Sequence, residues 1–159
     1  MEWHCKPFDA LTVSQLYAIL SARSEVFVVE QRCVYLDPDG KDAQAHHLFA
    51  MDDVSGADGA QGRPQVAAYL RLLPPGVSYE EASIGRVLTG TAYRGRGLGQ
   101  ELLNRGLAQA NGFWPNAALR IGAQAYLQKL YESVGFASVG EPYDEDGIPH
   151  IEMVRRVHH

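Results

Sequence analysis

Three glycines and two arginines fall within YRGRGLGQ, residues 93–100, between a β-like run and a leucine-rich run. Glycine loses conformational entropy in any ordered element, so such a cluster implies a physical need such as close approach of a ligand to the backbone. A strand, a glycine turn and a helix N-terminus together form an anion site, because backbone N–H groups point outward and the helix dipole adds positive potential. Arg94 and Arg96 add charge of the same sign. A phosphate fits such a turn, which spans Arg94, Gly95, Arg96, Gly97, Leu98 and Gly99.

The spacing excludes two common phosphate loops. Gly95, Gly97 and Gly99 run G-x-G-x-G in mid-chain, and the following ALRIGAQ carries no acid to hold a ribose, unlike a dinucleotide fingerprint. A Walker loop needs Gly-Lys-Ser/Thr, which is absent. A tight turn with unusual backbone angles is the structural alternative for the glycines.

The elements that position this loop follow from hydrophobic periodicity. LTVSQLYAILSARSEVFVVEQ reads as one helix followed by a short turn, with Thr12 and Gln15 as a capping box. HHLFAMD and QVAAYLRLL read as strands joined by a hairpin connection, DVSGADGAQGRP, and ASIGRVLTGTAY as the strand before the glycines. LGQELLNRGLAQANGF places Leu102, Leu103, Leu107 and Ala110 on one helical face and stops at Asn111 and Gly112. AALRIGAQ is a short strand, and YLQKLYESVGF a short helix with Gly135 as its left-handed C′ residue. ASVGEPYDEDGIPHIEMVRRV reads as two strands around an acidic loop. The order is α+β: a mixed, mostly antiparallel sheet of about six to seven strands flanked by helices.

A chain of 159 residues suits one domain, read here as 1–159. A net charge of −5 argues against sequence-independent binding to nucleic acid. Cys5 and Cys33 lack CxxC spacing, so no metal site and no disulfide scaffold is expected. MEWHCKPFDALT has no signal-peptide h-region and no apolar run reaches membrane-spanning length, which makes a cytoplasmic protein without membrane partners the expectation. His158 and His159 are assigned no function.

Arg94-x-x-Gly97-x-Gly99 resembles the Gln/Arg-x-x-Gly-x-Gly/Ala signature of the GNAT superfamily of N-acetyltransferases, which likewise follows a strand and opens a helix. Gln124 followed by LYESVGF is similar to the second signature of that superfamily, with Gln where many members have Asn. EVFVVEQRCVYLDPDGKDAQAHH, GAQAYLQKLYESVGF and EDGIPHIEM resemble the ElaA family within it. The resemblance implies the GNAT acyl-CoA N-acyltransferase fold and transfer of an acetyl group from acetyl-CoA to a primary amine, on a small molecule or a peptide, by direct attack in a ternary complex.

By the same resemblance, the pyrophosphate sits on backbone N–H groups from Arg94 to Gly99. The pantetheine pairs along Val87, Leu88 and Thr89, where a bulge splays the strand from its neighbour, and Gln124 contributes to the cofactor site. Tyr131 matches the position of the acid that protonates the leaving thiolate. A phenol of pKa about 10 holds its proton at neutral pH and can serve a thiol of pKa about 8.5. Tyr131 also falls on the apolar stripe of its helix, so core packing is the other reading, and Tyr126 is the fallback acid. The amine must lose a proton, and Glu30, His46, His47 and His150 are the residues able to take it, His150 first and Glu30 second. The acids at Asp37, Asp39, Asp42 and 141–146 would attract a cationic acceptor or simply be solvated, while Arg86, Arg94 and Arg96 supply positive charge near the phosphates.

SEVFVVEQ also resembles the N-terminal pattern of acyl-homoserine-lactone synthases, which makes that acyl transfer one alternative. A non-catalytic acyl-CoA sensor is another, and a homodimer is compatible with either.

Overall fold

The computed structural model describes residues 1–54 and 63–156; the expected connection at 53–64 falls largely outside them, as do His158 and His159. Three α-helices and eight strands occur among the described residues: β1 (Glu2–Pro7), α1 (Val13–Arg23), β2 (His46–Val54), β3 (Arg63–Leu73), β4 (Ser83–Thr89), α2 (Leu98–Phe113), β5 (Leu119–Gln124), α3 (Gln128–Glu132), β6 (Ala137–Ser138), β7 (Tyr143–Glu145) and β8 (Ile148–Arg155).

The capping box forms as expected. The Gln15 N–H donates to Thr12 Oγ1 at 3.0 Å and the Thr12 N–H to Gln15 Oε1 at 3.0 Å. The helix does not continue as α through Glu30, however: Ser24–Glu30 widens into a π-helical turn, closed by the Gln31 N–H on the Val26 carbonyl at 3.2 Å. Val26, Val28 and Val29 are β-branched and crowd an α turn, and the wider turn buries Val26 and Phe27.

Strands β1 to β4 form one antiparallel sheet in sequence order, and β5, β8 and β6 another, with β7 also on β8. Between β4 and β5, joined through α2 as parallel neighbours, the described pairing is one bridge between Ala82, just before β4, and Leu119, with the Arg120 N–H on the Ala82 carbonyl at 2.9 Å. Beyond it the two strands pair no further, so the expected sheet is present but split. Alternation along β2 and β3 feeds two cores. Leu48, Leu70 and Leu72 pack with Leu102 and Leu103 of α2, while Phe49 and Tyr69 pack with Ile19 of α1.

The C-terminal segment holds three strands instead of two. Asp146 and Gly147, at φ 54° and 81°, turn β7 into β8, as a two-residue hairpin requires. Gly135 takes φ 100° and lets the Phe136 N–H reach the Tyr131 carbonyl at 3.1 Å. The α2 helix runs to Phe113, one residue past the Asn-Gly stop, and Phe113 stacks on His46 at 4.0 Å.

Candidate active site

The glycine loop opens α2 as the sequence suggested. Gly95 and Gly97 take φ of 80° and 71°, a region that disfavours any side chain. Gly97 is the N-cap and brings no capping side chain, so the first N–H groups of a 16-residue helix have no intrahelical acceptor. A methyl built on Gly97 would meet nothing within 4 Å, so the space in front of these donors is open. The two arginines are already engaged. Arg94 forks onto Glu30 at 2.7 and 3.1 Å and donates from Nε to the Thr89 carbonyl at 3.3 Å, while Arg96 lies over the Tyr93 ring at 5.7 Å. The hydrogen bond with Glu30 raises the pKa of Arg94.

Glu30, one of the expected proton acceptors, stands at the glycine loop. Its carboxylate is ion-paired to the loop guanidinium and is not among the residues lining the central cavity. The Thr89 carbonyl accepts from Arg94 Nε and keeps a second lone pair.

The bulge that must free the β4 edge is centred on Arg86, which sits at φ 51° while the register against β3 slips between Tyr69–Leu88 and Arg71–Gly85. Val87 is half-buried on the cavity wall, and Leu88 turns its side chain into the α1 core. Arg86 belongs to a closed ring of alternating charge. Arg23 meets Asp37 at 2.8 Å, Asp37 meets Arg86 at 2.9 Å, Arg86 meets Asp39 at 3.4 Å, Asp39 pairs with Arg71, Arg71 meets Asp42 at 3.0 Å, and Asp42 returns to Arg23 at 2.7 Å. Burial alone would raise the pKa of Asp39 and Asp42. The guanidinium hydrogen bonds outweigh it and hold both carboxyls well below the usual range, Asp39 through Arg71 and Asp42 through Arg23 and Arg71. Two expectations are thereby corrected: Arg86 is not free for phosphate, and Asp37, Asp39 and Asp42 are internally neutralised and form no acidic rim.

Between β4 and β5 lies a cavity of about 420 Å³. Tyr131 lines it and is 5 % exposed, with its ring edge-on to Phe136 at 5.7 Å. No hydrogen bond to its hydroxyl occurs among the described residues, and burial, with Tyr126 second, pushes its pKa up, so it keeps its proton. The ring packs in the core, as one of the two readings expected, while the side chain also borders the cavity. Tyr126 is largely exposed and outside the lining.

Gln124 and Gln31 exchange amide hydrogen bonds, each Nε2 donating to the other Oε1 at 3.1 Å, so Gln124 meets a partner the sequence did not suggest. His150, directly across from Gln124 on β8, is 8 % exposed and lines the cavity. Its Nδ1 lies 2.7 Å from the Ile148 carbonyl, which can only accept, so Nδ1 carries a hydrogen. Nε2 faces Glu145 at 3.3 Å, ready to balance an imidazolium. His46 and His47 are elsewhere. His46 stacks on Phe113, and His47 is fully buried between the Tyr69 hydroxyl and the Asp42 carbonyl; burial lowers the pKa of both.

Sequence reasoning missed Tyr79 and Tyr143, whose hydroxyls converge over Gly122 in the cavity wall. A methyl on Gly122 would stand 2.9 Å from the Tyr143 hydroxyl and 3.3 Å from that of Tyr79. The bare Gly122 within a strand was the available signal.

Comparison with known proteins agrees with this geometry. Residues 73–157 match the family described as "Acetyltransferase (GNAT) domain". The chain is 41% identical to Protein ElaA of Escherichia coli over 159 residues, covering 99% of this chain and 97% of that one. Its fold is similar to the crystal structure of Escherichia coli ElaA, with a TM-score of 0.84 at 40% identity over 98% and 99% of the two chains. It is equally similar to that of an acyl-CoA N-acyltransferase from Pseudomonas aeruginosa, with a TM-score of 0.84 at 43% identity and the same coverage. The chain belongs to the GNAT acyltransferase family, in its ElaA-like branch.

Proposed function

We propose that this acyltransferase moves the acetyl group of acetyl-CoA to a primary amine within a ternary complex. The observation that carries this reading is the path from the uncapped N-terminus of α2, along the β4 edge that β5 leaves unpaired, to the buried Tyr131. The residues present suit acyl-CoA. The open space before Gly97 and the unpartnered helix N–H groups match a pyrophosphate, and an open strand edge matches an extended amide-bearing arm. The bound thioester supplies the activated acyl carbon and a thiolate leaving group.

In this reading the backbone at Val87 and Leu88 orients the arm, and an N–H there polarises the acyl carbonyl. Tyr131 donates its proton to the departing sulfur. His150 Nε2 accepts the proton of the attacking amine, and the resulting imidazolium faces Glu145. Glu30 holds Arg94 and with it the entry to the glycine loop. Gln124, tied to Gln31, links the end of β5 to the turn that follows the π-helical segment.

Thiol release from acetyl-CoA, measured with a panel of primary amines, tests the proposal. Amine-dependent release supports it. Saturable coenzyme A binding without release at any pH favours a sensor instead.

A further inference from the structure

The charges in the cavity wall are unequally satisfied. Arg71, Arg86 and Asp39 line it but are spent on the ring, which closes on itself with three arginines and three aspartates. Lys41 stands outside the ring. It is half-buried in the same wall, makes no ion pair among the described residues, and donates to Ser78 Oγ at 2.9 Å.

From Ser78 the wall runs to its neighbour Tyr79, whose hydroxyl and that of Tyr143 meet over Gly122. Tyr143 in turn stacks on His150 at 5.8 Å. One cavity is therefore lined both by an ammonium without a carboxylate among the described residues and by the imidazole that faces the acceptor amine in the reading above. Along it, Gly85 stands directly across from Arg71 and leaves nothing within 4 Å of a Cβ, so this part of the wall is open.

Lys41 Nζ and Ser78 Oγ each have hydrogen left to donate once they have bonded to one another. A carboxylate accepts from both at once and supplies the missing charge. A second ammonium would be repelled there, and a plain alkyl chain would leave Lys41 uncompensated.

We infer that the acetyl acceptor is a small amino-acid-like zwitterion, its carboxylate on Lys41 and Ser78 and its amine at His150 Nε2. This rests on the acetyl-transfer reading and narrows it from amines in general to amines that carry an acid. Tyr79 and Tyr143 line the span between the two ends and offer hydroxyls to polar atoms along it.

The test is a series of amino acids from glycine to 6-aminohexanoate, each paired with the matching amine that lacks the carboxylate, followed by thiol release. The expected result is at least one pair in which the acid-bearing member has the larger kcat/KM by about tenfold or more, through KM. In Lys41→Gln that ratio collapses to about twofold or less, while Lys41→Arg keeps most of it. Ser78→Ala reduces it partway. Equal use of both members by the wild type, or a ratio untouched by Lys41→Gln, overturns the carboxylate subsite and leaves acetyl transfer standing. A preference for peptide amines with no free carboxylate nearby overturns it as well. Absence of release with every amine, where coenzyme A still binds, overturns acetyl transfer and the subsite together.

Discussion

Arg86 reaches Asp37 at 2.9 Å from a left-handed backbone position, φ 51°, at the very bulge that opens the β4 edge. The strained residue is held by what its side chain touches, because Asp37 is almost fully buried and already paired with Arg23. Arg86→Ala removes one partner of a nearly dry carboxylate and is expected to cost about 2–4 kcal/mol. Arg86→Gly loses the same ion pair but relieves the left-handed strain, so it should be more stable than the alanine variant by about 1 kcal/mol. Urea denaturation of both variants checks the order. An alanine variant as stable as glycine would show that the bulge is not strained.

The same ring makes stability depend on acid. Asp39 and Asp42 have native pKa values below their unfolded values, so their contribution is complete above the unfolded carboxylate pKa of about 3.9 and is lost as pH falls toward the native values. Unfolding free energy should therefore decline below about pH 4, and less steeply in Asp39→Asn. Denaturation series at pH 7, 4 and 3 measure it. An identical slope in the variant would remove Asp39 from the account.

Tyr131→Phe separates packing from chemistry. Its hydroxyl has no hydrogen-bond partner among the described residues, so the variant should be as stable as the wild type or slightly more so. Turnover should nevertheless fall by about 100-fold or more. Unchanged turnover across pH would assign the proton donor elsewhere.

Glu30→Gln distinguishes a loop clamp from a base. The Glu30–Arg94 pair is more than a third exposed on each side chain, so its loss should raise KM for acetyl-CoA by only about two- to fivefold. A fall in kcat that high pH restores would instead mark Glu30 as the proton acceptor. That signature is expected of His150→Gln, because solvent deprotonates an amine of pKa about 10.4 once pH is high enough.

Local features were readable in the sequence because their causes are local. The capping box, the glycine loop, the left-handed Gly135 and the leucine face of α2 each depend on residues within one or two turns. The ring was not readable, since Arg23, Asp37, Asp39, Asp42, Arg71 and Arg86 converge from four separate segments. Three aspartates in a polar loop look solvated until their partners are known. Apolar patterning likewise marks β4 and β5 as strands without revealing that they part after Ala82 and Leu119. Tyr79 was hidden in a stretch without periodicity, and the pairing of Glu30 with Arg94 was not readable because the two lie 64 residues apart.

The central claim is that the amides opening α2 hold a pyrophosphate, and calorimetric titration of coenzyme A beside pantetheine, which lacks that group, tests it most directly. The account predicts saturable one-to-one heat with coenzyme A, at least about tenfold tighter than pantetheine, and loss of most of that difference in Gly97→Ala. No heat with coenzyme A, or equal affinity for the two compounds, would contradict it.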